Sequence, residues 1–342
     1  MAEIAQEPIR MGVLGAAKIA RLFVDAVRGS PRVTVVAVAS RDAERAAAFA
    51  RDTHIPRVHA SYERLLADPV VEAVYVPLPN NLHATWAIRA ADAGKHVLCE
   101  KPLAASATEA VAIFAAARRN GVHVAEAYPY RAQPQTIKLR ALLASHAIGN
   151  VQFIQASFGF PLTDASNIRL NPDLAGGALM DAGSYPVSLV RTVAGTRPQR
   201  VFAMSRWSTS GVDTTTLATL EFADGMFAQI SCTFATARHR HAFIAGDAGS
   251  ISTTYYNDTS AAFPPLLDVR RGTGWDAERD VIETAAMNGF LAEAESFHDL
   301  VRLGTSHWTG ATPEESVDIA ATLDALAASA RTRAPVNVAA AE

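Results

Sequence analysis

Between Met11 and Ala125, short runs of β-branched residues alternate with Ala-rich segments of helical length, and this constrains the fold more than any other feature of the 342-residue chain. A strand that recurs after each helix runs parallel to its predecessor, because the helix carries the chain back across the sheet. Strands are predicted at Met11–Gly15, Val33–Ser40, Ala73–Pro77, His96–Cys99 and Val122–Ala125. Helices are predicted near Lys18–Arg28, Ala43–Arg51, His83–Ala93 and Thr108–Asn120. Gly94 and Gly121 stand where left-handed C-terminal caps belong, and Ser106 with Glu109 forms a capping-box pair.

After Ala125 the rhythm changes. A helix is predicted at Pro134–Ala144, followed mostly by two-residue alternation, as in Val151–Phe158, Leu217–Phe222 and Phe227–Phe234. Asp224-Gly225 between the last two is a hairpin turn signal. Helices near Ala286–Leu303 and Glu314–Arg331 close the chain, the last started by Thr312, Pro313 and Glu315. The second half therefore reads as α+β with a large, mostly antiparallel sheet, and no internal repeat or low-complexity linker interrupts it.

The segment from Gly12 to Ala20 follows a strand and opens a helix at Lys18 and Ile19, with Gly15, Ala17 and Ala20 at the spacing of a dinucleotide fingerprint. Only the first glycine is kept. Small residues at the other two positions still allow a tight turn, close approach to a pyrophosphate and use of the helix N-terminus, although such turns also occur in plain βα connections. The second strand ends Ala39-Ser40-Arg41, where a hydroxyl and a guanidinium suit the 2′-phosphate of NADP. In the other reading Asp42 holds a ribose hydroxyl, which would select NAD.

Net charge is -3, with no block of like charge, so neither nucleic acid nor an anionic membrane is an expected partner. The polar stretch Met1–Arg10 has no apolar signal core, and no run of apolar residues is long enough to span a bilayer. Two cysteines, Cys99 and Cys232, fit a reducing compartment, and the expected location is the cytoplasm. Of 31 basic residues only Lys18, Lys95, Lys101 and Lys138 are lysines, so a lysine here marks chemistry that needs a compact ammonium, or else a chance surface position.

Two more segments end strands on the carboxyl edge of the parallel sheet, where such sheets bind ligands: Pro77-Leu78-Pro79-Asn80-Asn81-Leu82-His83 and Glu100-Lys101-Pro102. In the second half, Gly176-Gly177 leads to Asp181 and Tyr185, four residues apart and expected on one helix face. A phenol needs help to exchange protons near neutrality, and a neighbouring ammonium such as Lys101 supplies it. The structural alternative is a buried tyrosine bonded to Asp181. His239 and His241 share one side of a strand but lack a third ligand, and no metal is expected.

The ordered set of the Gly15 loop, Pro79-Asn80 with His83, Glu100-Lys101-Pro102, Glu126-Ala127-Tyr128 with Arg131, and Gly176-Gly177 leading to Asp181 and Tyr185 resembles the Gfo/Idh/MocA oxidoreductases across nearly the whole chain. Tyr185, with Asn167-Ile168-Arg169-Leu170, resembles the branch of glucose-fructose oxidoreductase, dimeric dihydrodiol dehydrogenase and D-xylose dehydrogenase. Ala17 and Pro129 depart from the family pattern. The resemblance implies an N-terminal Rossmann domain at 1–126, doubly wound on a parallel sheet. An α+β domain at 127–342, with a large open sheet for substrate binding and oligomerisation, would follow it. It implies catalytic roles for Lys101, Tyr185 and Asp181, and substrate contacts from these with Tyr128 and Arg169. It implies cofactor contacts from Gly15, Ala17, Lys18, Ile19, Ser40, Arg41, Pro79, Asn80, His83, Glu100 and Lys101. The expected activity is NADP-dependent hydride transfer to or from a carbinol carbon of a sugar or cyclic diol, in a homo-oligomer such as a dimer. A ketosugar reductase shares every residue named, and a non-catalytic NADP-binding regulator would not need Lys101 and Tyr185 together.

Overall fold

In a computed structural model, which describes residues 7–340, the first half builds one six-stranded sheet. Residues 1–6, part of the polar N-terminal stretch, lie outside the described residues. The elements are β1 (Ile9–Leu14), α1 (Lys18–Val27), β2 (Val33–Ala39), α2 (Ala43–Thr53), β3 (Arg57–His59), α3 (Tyr62–Leu66), β4 (Ala73–Val76), α4 (Asn80–Asp92), β5 (His96–Glu100), α5 (Ala107–Asn120) and β6 (Val124–Ala127). All pairings are parallel, in the doubly wound order β3-β2-β1-β4-β5-β6. The strand order reverses between β1 and β4, so their carboxyl ends open a crevice there.

Three features differ from the sequence reading. β3 and α3 are additional, and α4 begins at Asn80, with Pro79 as its N-cap, rather than at His83. Gly121 caps α5 in the left-handed region as predicted. Ser106 accepts from Glu109 N–H, while the Glu109 carboxylate takes the N–H of Ala105.

The second half contributes α6 (Pro134–Ala144), β7 (Val151–Gly159), α7 (Ser184–Ala194), β8 (Arg200–Trp207), β9 (Asp213–Glu221), β10 (Phe227–Thr233), β11 (His239–Gly246), β12 (Gly249–Thr254), β13 (Leu266–Arg271), β14 (Glu278–Glu283), α8 (Gly289–Leu303), α9 (Pro313–Thr332) and β15 (Val336–Asn337). Its strands form one nine-stranded sheet, ordered β14-β13-β12-β11-β7-β10-β9-β8-β15, in which only β7 and β10 pair in parallel. Helices α7 and α9 cover one face, with Leu189, Val190, Leu323 and Leu326 packed against Ile154, Leu220, Ala228 and Ile244. The complete Thr312–Glu315 capping box starts α9.

Helix α8 does not stay with its sequence neighbours. Phe290, Ala294, Phe297 and Leu300 pack into the core of the first sheet with Ile9, Met11, Phe23 and Tyr75. Polar ties run the same way: Ser30 Oγ donates to Glu295 at 2.8 Å, and Arg302 pairs with Glu72 at 3.0 Å.

Candidate active site

The turn after β1 needs a residue in the left-handed half of φ space. Gly15 has φ +114°, its N–H donates to Ala39 O at 2.7 Å, and a Cβ there would meet Leu78 Cδ2 at 3.1 Å. Ala17 is the N-cap of α1, with no side-chain cap and no acidic residue in the first turn. The first amides of the helix, over Lys18 and Ile19, therefore face the crevice without an internal acceptor, which is how helices receive phosphate.

At the end of β2, Ser40 is buried and its hydroxyl accepts from Asp42 N–H at 3.4 Å. Asp42 caps α2, its carboxylate accepting from Arg45 N–H at 3.0 Å, so it is engaged within its own helix. Arg41 is exposed. Arg45, not singled out from the sequence, donates from Nε and Nη2 to Ala16 O at 3.2 and 3.0 Å, which draws a second guanidinium to the Gly15 turn. Its signal was available, since it stands in the first turn of the helix that follows Arg41. Burial pushes the Tyr62 phenol up, and the neighbouring cations of Arg41 and Arg45 pull it only partly back.

The Pro79 and Lys101 turns are braced together. His83, expected at the cofactor, is fully buried, and its ring nitrogens face Pro102 O at 2.8 Å and Leu78 O at 2.7 Å. Burial lowers its pKa, the two carbonyls only partly restore it, and the ring stands as a brace between the two turns. Asn80 and Asn81 send their amides across the crevice to Ala175 O and Asp173 O, each at 2.9 Å. Glu100, also buried, accepts from Tyr75 O–H at 2.5 Å.

Lys101 projects from the end of β5 into an ion triad with Asp181 and Arg169. Its Nζ donates to Asp181 Oδ1 at 2.9 Å and Asp181 O at 3.0 Å, and Arg169 Nε binds Asp181 Oδ2 at 2.6 Å. Burial alone would lower the lysine, but the Asp181 carboxylate, joined by Tyr185 and Glu100, outweighs it and keeps its pKa raised. Burial would raise Asp181, and Lys101 and then Arg169 reverse this, bringing it to about 2. Gly176 and Gly177 make the triad possible. Gly177 N–H bonds Arg169 O at 2.8 Å with φ +118°, and a Cβ on Gly176 would stand 2.5 Å from Arg169 O.

Asp181 and Tyr185 do not share a simple α-helical face. Leu179–Gly183 forms a π-turn ahead of α7, and its wider winding sends Asp181 toward Lys101 while Tyr185 turns to the sheet. The Tyr185 hydroxyl is bonded not to Asp181 but to Asn257, whose Nδ2 donates to it at 2.9 Å. Lys101 Nζ lies 5.0 Å from the Tyr185 ring centroid. The ring is only 5% exposed, with both Phe158 and the guanidinium of Arg240 beside it. Tyr128, expected to meet substrate, is buried behind it, edge-on at 5.4 Å, with its hydroxyl donated to Ser184 O.

Arg240 and Asn257 were missed from the sequence, where attention fell on His239 and His241. A usable signal existed for Arg240: it takes the inward phase of β11 with Ala242 and Ile244, a charge on an apolar stripe. Among the described residues no group of three His, Cys, Asp or Glu side chains is placed to hold a metal ion, and no helix is long and apolar enough to cross a membrane.

An oxidoreductase family with an NAD-binding Rossmann fold matches residues 9–128, and the GFO/IDH/MocA C-terminal domain matches residues 136–252. D-xylose 1-dehydrogenase (NADP(+)) 2 of Haloferax volcanii is 40% identical over 336 residues, spanning 96% of this chain and 99% of its own. Trans-1,2-dihydrobenzene-1,2-diol dehydrogenase of Danio rerio is 36% identical, spanning 85% of this chain and 92% of its own. A 3-ketoreductase from Actinomadura kijaniata, solved with NADP and TDP-benzene, superposes with a TM-score of 0.84 at 30% identity, over 94% of this chain and 98% of its own. With both halves matched and full-length relatives above 30% identity, the chain belongs to the Gfo/Idh/MocA oxidoreductase family.

Proposed function

We propose that this protein is an NADP-dependent oxidoreductase that moves a hydride to or from a carbinol carbon of a sugar or cyclic diol. The observation that carries the reading is the Lys101–Asp181–Arg169 triad standing over Tyr185 beside the crevice of the first sheet. A charged ammonium and a phenol within one side-chain length can bind and protonate one substrate oxygen. In the 3-ketoreductase, variants exist of a lysine and a tyrosine that lie as far apart in its sequence as Lys101 and Tyr185 do here, which supports the pairing.

The residues present fit NADP. The Gly15 turn and the unclaimed amides of α1 suit the pyrophosphate, and Arg41 with Arg45 suits the 2′-phosphate, while Asp42 is engaged as a cap. NADP when bound supplies the nicotinamide carbon that gives or takes the hydride. Lys101 bonds the reacting substrate oxygen, Tyr185 exchanges its proton, Asp181 keeps the ammonium charged and aimed, and Arg169 holds the Asp181 carboxylate in place. In this reading residues 1–126 hold the dinucleotide and residues 127–342 supply the substrate wall, with α8 serving the first unit.

The outer face of the nine-stranded sheet supports self-association, since Phe202, Met204, Leu217, Phe227 and Phe243 are all exposed along it. Two unpaired, buried cysteines favour a reducing compartment such as the cytoplasm. A second reading, reduction of a ketosugar by the same residues, is favoured by similarity to the 3-ketoreductase. A panel of aldoses and cyclic diols with NADP⁺, and of ketosugars with NADPH, identifies the substrate. On that substrate Tyr185→Phe is expected to lower kcat by ~10²- to 10⁴-fold while NADPH still binds. Wild-type turnover by the folded variant refutes the assignment.

A further inference from the structure

We infer that Asn257, locked by Arg240, is a positioning residue that fixes the direction in which the Tyr185 hydroxyl offers its proton. The inference rests on Tyr185 as the proton-exchanging group proposed above.

The argument starts from an uncommon burial. Arg240 is 7% exposed on β11, opposite Phe158 of β7 in the ladder, and no carboxylate pairs with it among the described residues. Its guanidinium packs on both neighbouring rings, 4.0 Å from the Phe158 centroid and 4.1 Å from that of Tyr185. A cation taken out of water without a counter-ion is costly, and a leucine or methionine would fill the same gap without that cost. What the guanidinium does that an apolar side chain could not is donate: Nη1 bonds Tyr255 O at 3.1 Å and Asn257 Oδ1 at 2.9 Å.

Direction follows from donor chemistry. A guanidinium has no acceptor, so the Asn257 atom facing it is the carbonyl oxygen and the other end of the amide is the NH₂ group. That group donates to the Tyr185 oxygen at 2.9 Å. The phenol is thereby an acceptor toward Asn257, and its single proton is left to point away from the amide. The chain of donors runs Arg240 to Asn257 to Tyr185 to substrate. If Arg240 were absent, the amide could turn over and present its oxygen, and the phenol would then give its proton to the protein.

Asn257→Asp tests this with little change of shape. The carboxylate still pairs with Arg240 but can only accept, so it captures the Tyr185 proton. We expect kcat to fall roughly 10- to 100-fold, the size of one charge-assisted hydrogen bond, with KM and NADPH affinity within about twofold of wild type. In a Tyr185→Phe background the same substitution is expected to change kcat by less than about twofold, because the hydroxyl it acts on is gone. Arg240→Met, which keeps the packing on both rings but frees the amide, provides the same comparison should Asn257→Asp fold poorly. An equal loss in both backgrounds marks a structural role and overturns the inference. Wild-type kcat in Asn257→Asp beside an impaired Tyr185→Phe overturns this inference alone, whereas wild-type kcat in Tyr185→Phe overturns the reading beneath it.

Discussion

Replacing Asp181 by asparagine removes one negative charge from between the cations of Lys101 and Arg169 and leaves the shape almost unchanged. The Asp181 carboxyl titrates at about 2 against an ordinary 3.8, even though burial works in the opposite direction. One unit corresponds to about 1.4 kcal/mol, so in the folded state the ionised carboxylate contributes about 2 kcal/mol. Its sign is that of a depressed acid: the contribution is fully present above pH 3.8 and is lost as the pH falls toward 2. Asp181→Asn is therefore expected to be about 2 kcal/mol less stable than wild type at pH 7, with a deficit that narrows below pH 3.8. Lys101 and Arg169 then face each other without the carboxylate between them, and the strongest opposition to the burial of the lysine is gone. Because the Asp181 side chain is only 13% exposed, raising the salt from 0.1 to 0.5 M is expected to leave the deficit nearly intact. Urea unfolding of both proteins at pH 7 and pH 3 measures all of this. Equal stability at pH 7, or a deficit of the same size at both pH values, would refute the reasoning.

Arg41→Ala is expected to weaken NADP⁺ binding roughly 10- to 150-fold with little change for NAD⁺, as charge-assisted bonds to a 2′-phosphate require, and fluorescence titration with both cofactors checks it. Equal losses for the two would return the ribose to Asp42. Burial raises Glu126 to about 7 from an ordinary 4.5. The folded protein thus keeps a proton the unfolded chain has released, and stability drains away by roughly 3 kcal/mol as pH rises through 4.5 to 7. Glu126→Gln escapes that loss, so it should gain on wild type across this window and stay level above it in thermal unfolding, whereas a pH-independent difference would contradict the cause.

Legibility in the sequence follows the range of the interactions. β1, β4 and β5 were readable because strands buried on both faces are continuous apolar runs, and the α5 and α9 caps because a cap is decided within four residues. β8 was not, since its outward residues Phe202 and Met204 are as apolar as its inward Val201 and Ala203, which erases the alternation. β3 is three residues on a sheet edge, too short to carry a pattern. Lys101, Asp181 and Arg169 were legible as a set by resemblance, but their geometry depends on a π-turn that no local propensity announces. Arg240 and Asn257 reach Tyr185 across more than fifty residues, and only the ladder of β11 against β7 brings them there.

The return of α8 to the first sheet has a consequence for how the chain comes to be folded. The apolar surface of Ile9, Met11 and Phe23 is covered by residues that leave the ribosome only after about 290 others. Until then the nucleotide-binding half lacks one wall, and a fragment ending near residue 127 would expose that surface to water or to its neighbours. The first strand is made at the start and finished near the end, so the halves mature together, with a contact of such long sequence separation setting the pace.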